Sequence, residues 1–236
     1  MRSELTLPVG QSQMRVLVAQ PPTPEPCPAI VLMHHRGGLD TFTSRSAMRL
    51  AENGFHVAAP HLYHRRPPGE DTGASRKSLT DADVLADIGA VVEHLRASRE
   101  VRADAIAIMG HCMGGRMAYL GAASIPHVKA AVVLYGGGIR QGEGEGRPAP
   151  IELTKNIRGP VLGLFGKDDT NPSPADVEAI AAELKRHTIR HEFHSYEGAG
   201  HAFQNFEDKE RFRQTASEDA WKRAIAFLKT ELTATV

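Results

Sequence analysis

The chain has 236 residues, 41% hydrophobic and 24% charged, which is enough apolar material for one sizeable core. Its 28 Lys and Arg balance 28 Asp and Glu, so charge gives no basis for binding nucleic acid or an anionic membrane surface. No apolar run approaches the ~18 residues of a spanning helix, and Met1-Arg2-Ser3-Glu4 lacks the apolar stretch of a secretion signal, so a cytoplasmic location is the expectation.

In chain order, the first strong signal is the apolar run Ala29-Ile30-Val31-Leu32-Met33, led in by a Pro-rich segment over 21–28. Helical periodicity follows over 44–53, closed by Asn53-Gly54, then a short strand over 57–59. Residues 63–79, rich in Arg, Pro and Gly, carry no clear period. A helix is predicted over 81–97, with Asp81 and Asp83 in its first turn, and a strand over 105–109. A helix over 114–123 and a strand over 128–135 come next. Residues 136–146 hold six glycines and are expected to form a mobile surface loop. The series closes with a strand over 161–165, a helix over 175–186, a strand over 189–196 and a helix over 212–232. Runs apolar on both faces, alternating with helices, predict an α/β class: one domain over 1–236, with a mostly parallel sheet between two helical layers.

In such sheets ligands bind beyond the carboxyl ends of the strands, so the residues after each run matter most. After 105–109 comes Gly110-His111-Cys112-Met113-Gly114-Gly115, a G-x-C-x-G turn between strand and helix. The glycines permit a tight turn that presents the thiol at a helix N-terminus, where the dipole favours thiolate. The N–H of Met113 is then free to donate to an oxyanion. After 161–165 stand Asp168 and Asp169, either of which could orient an imidazole. After 189–196, Gly198-Ala199-Gly200 turns the chain and presents His201. Nucleophile, acid and histidine at successive strand ends follow the order of the α/β-hydrolase fold. The remaining piece is His34-His35-Arg36-Gly37-Gly38, where Arg36 is placed to give a second oxyanion N–H.

These motifs resemble the dienelactone hydrolase (carboxymethylenebutenolidase) family, a branch of the α/β hydrolases with cysteine as nucleophile. The resemblance runs over the whole length: Val31-Leu32-Met33-His34-His35, Pro60-His61-Leu62-Tyr63, the cysteine turn, Leu134-Tyr135-Gly136, Phe165-Gly166-Lys167-Asp168-Asp169 and Gly198-Ala199-Gly200-His201-Ala202-Phe203. It implies Cys112 as nucleophile, Asp169 rather than Asp168 as the acid, and His201 as the base. It also implies Arg65, beside Arg66, as an anchor for a substrate carboxylate. His35 stands where the family has a glutamate, and Asn205 where it has a second substrate arginine. Tyr63, Tyr135 and His35 are expected to line the pocket.

The expected activity is hydrolysis of a small carboxylic ester or lactone, anionic if the arginines bind it, through an acyl-thioester and without a cofactor. Two other readings use the same residues: a peroxide-responsive thiol at Cys112, or a binding protein without turnover. Cys27, in Pro26-Cys27-Pro28, reads as incidental, and the two cysteines cannot make a disulfide scaffold. Of the 12 histidines, His34, His35, His61, His64 and His111 fall near strand ends as pocket lining. Only His61 and His64 have a spacing open to metal, in a Pro-rich loop, so no metal site is expected.

Overall fold

The computed structural model describes residues 1–23, 25–67, 69, 72–144 and 146–233. Eight strands form one sheet in the order β1-β2-β4-β3-β5-β6-β7-β8. They are β1 (Arg2–Val9), β2 (Ser12–Ala19), β3 (Cys27–Met33), β4 (His56–Pro60), β5 (Val101–His111), β6 (Val128–Leu134), β7 (Val161–Gly166) and β8 (His191–Tyr196). From β4 through β8 every pairing is parallel, and only β1 with β2 and β2 with β4 run antiparallel.

The continuous apolar runs arise because alternate residues feed two different cores. In β3, Ala29, Val31 and Met33 face one core while Ile30 and Leu32 face the other. The first core is covered by α3 (Asp81–Ala97), α4 (Met113–Ser124) and α5 (Pro174–Arg186). The second is covered by α1 (Thr41–Glu52) and α6 (Gln214–Thr233). Helix α1 starts before the predicted residue 44 because Asp40 caps it, accepting from the Thr43 N–H. Strand β5 outruns its predicted 105–109 because Gly110 and His111 still pair with Val133 and Leu134.

The amino-terminal hairpin was not anticipated. Leu5, Leu7 and Val9 alternate with Thr6 and Pro8, and Met14 and Val16 flank Arg15, across a turn at Gly10, whose φ is +59°. That is a strand signal of period two rather than a continuous run. A short helix α2 (Thr72–Lys77) also lies within the unassigned 63–79 stretch, of which Pro68, Glu70 and Asp71 are outside the described residues. No helix among the described residues is long and apolar enough to cross a membrane.

The described part of the glycine-rich segment runs largely at the surface, as expected, and it is tied at three points to a buried ion pair. Arg116 on α4 and Asp81 at the start of α3 pair with side chains only 1% and 3% exposed. Arg116 also donates to the carbonyls of Gly138 and Gln141, and Asp81 Oδ2 accepts from the Glu143 N–H at 3.0 Å. Arg76 pairs with the Glu143 carboxylate from outside. Breaking such a pair strands a buried charge, so Arg116→Met is expected to cost about 3–5 kcal/mol. The check is the urea midpoint, with trypsin cleavage at Arg140 expected to quicken as the segment loses its anchor.

Candidate active site

The turn after β5 brings three backbone segments closer than side chains allow. A Cβ on Gly110 would lie 2.0 Å from the Gly114 carbonyl oxygen, and one on Gly114 would lie 2.1 Å from that of Met33. A Cβ on Gly115 would come within 2.7 Å of the Leu134 carbonyl oxygen. Between them Cys112 adopts φ +57° and ψ −119°, a conformation few residues hold unless their surroundings enforce it. Its N–H donates to Leu134 at 3.0 Å, and its carbonyl accepts from Gly115 at 2.9 Å, which opens α4. The thiol is therefore fixed at a strand end and a helix N-terminus.

His201 meets it from the loop after β8. Its Nε2 lies 2.8 Å from the Cys112 Sγ, and its Nδ1 lies 2.9 Å from Asp169 Oδ2. The Asp169 side chain is 1% exposed, and its other oxygen accepts from the Asn171 N–H at 2.9 Å. Asp168, one residue earlier, is exposed to solvent. Burial would by itself depress the His201 imidazolium, but its contacts with Asp169 and Cys112 outweigh burial and push it up to about 10. Burial would likewise raise the Cys112 thiol. His201, the Met113 N–H and the Arg36 charge together bring it below the ordinary thiol range. The two residues therefore favour a thiolate–imidazolium pair.

The loop after β3, residues 34–40, is tied to the same corner of the sheet. The Tyr63 hydroxyl donates to the Arg36 carbonyl at 3.0 Å and lies 3.6 Å from the Met113 sulfur, tying the loop to the residue after Cys112. His34 is a structural member: its Nδ1–H donates to the His35 carbonyl at 2.6 Å and its Nε2 accepts from the Leu62 N–H at 3.2 Å. Burial keeps it neutral, with its pKa lowered to about 4. His35 Nε2 is 2.6 Å from Asp40 Oδ2, so the residue in the family's glutamate position is joined to the cap of α1. Tyr135 is fully buried, 5.4 Å from the His201 ring between ring centroids. Its hydroxyl has no hydrogen-bond partner among the described residues, and burial, with Cys112 and Asp169 nearby, raises its pKa.

Arg65 is placed elsewhere. Its guanidinium makes a two-pronged contact with Asp87 on α3, at 2.7 and 3.0 Å, and Asp87 is fully buried. His64 joins the same cluster, with Nε2 at 3.0 Å from Asp87 and Nδ1 at 2.8 Å from the Ser12 hydroxyl. Arg66 donates to the Ser78 carbonyl. These contacts stitch the hairpin and the 63–79 stretch to α3 and do not reach the Cys112–His201–Asp169 group. Nothing in the sequence pattern distinguishes Asp87 from other helical carboxylates, so its pairing with Arg65 could not be read from sequence. Asp40 did carry a signal, as an N-cap residue before Thr41. Among the described residues no three His, Cys, Asp or Glu side chains converge as metal ligands.

The family model for the dienelactone hydrolase family matches residues 14–232. A carboxymethylenebutenolidase homologue of Synechocystis sp. is 29% identical, over 97% of this chain and 96% of that protein. A homologue of 2-oxo-3-(5-oxofuran-2-ylidene)propanoate lactonase from Bradyrhizobium sp. is 28% identical, over 94% of this chain and 91% of that one. The crystal structure of a dienelactone hydrolase homologue from Klebsiella pneumoniae superposes with a TM-score of 0.88 at 27% identity, covering 97% of this chain and 98% of the other. The chain belongs to the dienelactone hydrolase family and is a carboxylic ester hydrolase with the α/β-hydrolase fold.

Proposed function

We propose that the protein hydrolyses a small activated ester or a lactone, with Cys112 as nucleophile, His201 as acid and base, and Asp169 orienting His201. The observation that carries this reading is the unbroken hydrogen-bonded line from Sγ through the imidazole to a buried carboxylate, at 2.8 and 2.9 Å.

The Cys112 thiolate attacks the acyl carbon, and the carbonyl π electrons move onto oxygen. The Met113 and Arg36 N–H groups stabilise that oxyanion, an effect of about 2.7–4 kcal/mol per donor in hydrolases of this type. As the oxyanion collapses, the C–O bond to the leaving group breaks, and the His201 imidazolium gives that oxygen its proton. This leaves an acyl-thioester and a neutral imidazole. The imidazole then takes a proton from water, whose oxygen attacks the thioester. The acid departs, and the thiolate and imidazolium are restored. For a lactone the leaving oxygen stays tethered to the acyl group, so a single hydroxy acid or its keto tautomer is released.

Thiolate leaves a tetrahedral intermediate more readily than alkoxide does, so poor leaving groups return to substrate. Enol esters, lactones and aryl esters therefore suit the site, and amides do not. The lactonase homologue fits this preference.

Wild type is expected to hydrolyse para-nitrophenyl acetate, and Cys112→Ala to lose at least about a thousandfold in kcat. Mass spectrometry of rapidly quenched wild type is expected to find one acetyl group on Cys112. Turnover unchanged in the variant would remove Cys112 from the reaction. The pH dependence follows from the two shifts. Cys112 has a depressed pKa, so kcat/KM is expected to hold through neutral pH and fall only as the thiolate gains a proton in acid. It is expected to fall again above about pH 10, as His201 loses the proton needed by the leaving group. An acid limb centred in the ordinary thiol range would contradict the ion pair.

A further inference from the structure

Among the described residues, the cations that the sequence pattern or the fold brings toward this end of the sheet are largely committed to other partners. Arg65 is held by Asp87, Arg76 by Glu143, Arg116 by Asp81 and Lys167 by Glu197. Arg213 spends its donors on the carbonyls of Gly198, Glu210 and Phe212. Position 205, a candidate for a second substrate cation, is Asn205, whose side chain accepts from the Glu207 N–H.

Arg36 is the exception. Its side chain is exposed and makes no ion pair with any described residue, while its backbone is clamped by the Tyr63 hydroxyl. That same hydroxyl lies against Met113, the residue after the nucleophile. Gly114 packs closely on the Met33 and His34 carbonyls, which sets the start of this loop against the turn at Cys112. The Arg36 charge is also near enough to act, as the smallest of several influences, on the Cys112 thiol and the Tyr63 hydroxyl. An unpaired guanidinium on a fixed backbone at the site's mouth is a ready partner for a carboxylate, which it can meet with two parallel N–H donors.

We propose that Arg36 is the specificity-determining cation of this enzyme, binding a carboxylate on the substrate in place of the sequestered Arg65. This rests on the hydrolase reading above and adds the substrate's charge and the residue that reads it. Because Arg36 is exposed, the carboxylate projects toward solvent from the scissile bond, and its attraction is screened by salt.

The test uses two matched substrate pairs with wild type and Arg36→Gln. In one pair the charge is on the alcohol side: para-acetoxybenzoate against para-acetoxybenzamide. In the other it is on the acyl side: the monophenyl ester of glutaric acid against phenyl valerate. The readout is the ratio of kcat/KM for the charged ester to that for its neutral partner. Any change in thiol reactivity affects both members of a pair and cancels in the ratio. Wild type is expected to favour the charged ester in at least one pair. Arg36→Gln is expected to lower that ratio roughly tenfold, the scale of one charge-assisted hydrogen bond, and Arg36→Lys to restore part of it. Added salt is expected to erode the wild-type ratio toward that of the variant. Turnover of the neutral esters with no preference for charge, or a preference that survives Arg36→Gln, overturns the assignment of Arg36 while leaving the hydrolase reading intact. Failure of wild type to turn over any of the four esters overturns both.

Discussion

The arrangement depends on a steric fact at one corner of the sheet: no Cβ fits on Gly110, Gly114 or Gly115. With those positions reduced to backbone, the ends of β3, β5 and β6 and the first turn of α4 close to contact distance. Cys112, between them, is left with a strained conformation and a single direction for its thiol. Because β7 and β8 continue the same parallel register, the residues after them arrive at the same edge, which brings Asp169 and His201 within hydrogen-bonding reach of the sulfur. Tight packing at three glycines thus becomes a chemical relationship among residues far apart in sequence.

The electrostatics follow from that placement. Both Cys112 and His201 are pushed toward neutrality by burial; Asp169 and then Cys112 restore the charge of His201, and His201 foremost restores that of Cys112. Asp169, shielded and held by the Asn171 N–H, keeps the ring oriented and favours its cationic form. Histidines a few residues away behave in the opposite sense. His34 and His111 are buried without a carboxylate partner, and burial lowers their pKa values to about 4 and about 3. His34 and His111 are therefore held neutral, in contrast to His201.

Much of this was legible in the sequence, for identifiable reasons. Strands buried on both faces announce themselves as continuous apolar runs, and the strand-end residues Cys112, Asp169 and His201 stand in an order that few folds share. The amino-terminal hairpin was missed because its edge strand is half exposed and signals only by alternation. The glycines over 136–146 gave no hint that the Gly138 and Gln141 carbonyls and the Glu143 amide are bound by Arg116 and Asp81, a pairing between residues 35 positions apart. Arg65 shows the same limit. Its position in the motif favoured a substrate role, but its partner Asp87 lies on α3, and only the fold brings the two together. Local pattern reports what a residue can do, and tertiary pairing decides whether it is free to do it.

The central claim is that Cys112 rests as a thiolate paired with the His201 imidazolium. The direct measurement is the ultraviolet absorbance of the thiolate, taken as wild type minus Cys112→Ala across a pH titration. The signal is expected to be present at neutral pH, to vanish only well into acid, and to be absent at neutral pH when His201→Ala is the background. A thiolate that appears only in the ordinary alkaline range, unaffected by the loss of His201, would contradict the pairing and the mechanism built on it.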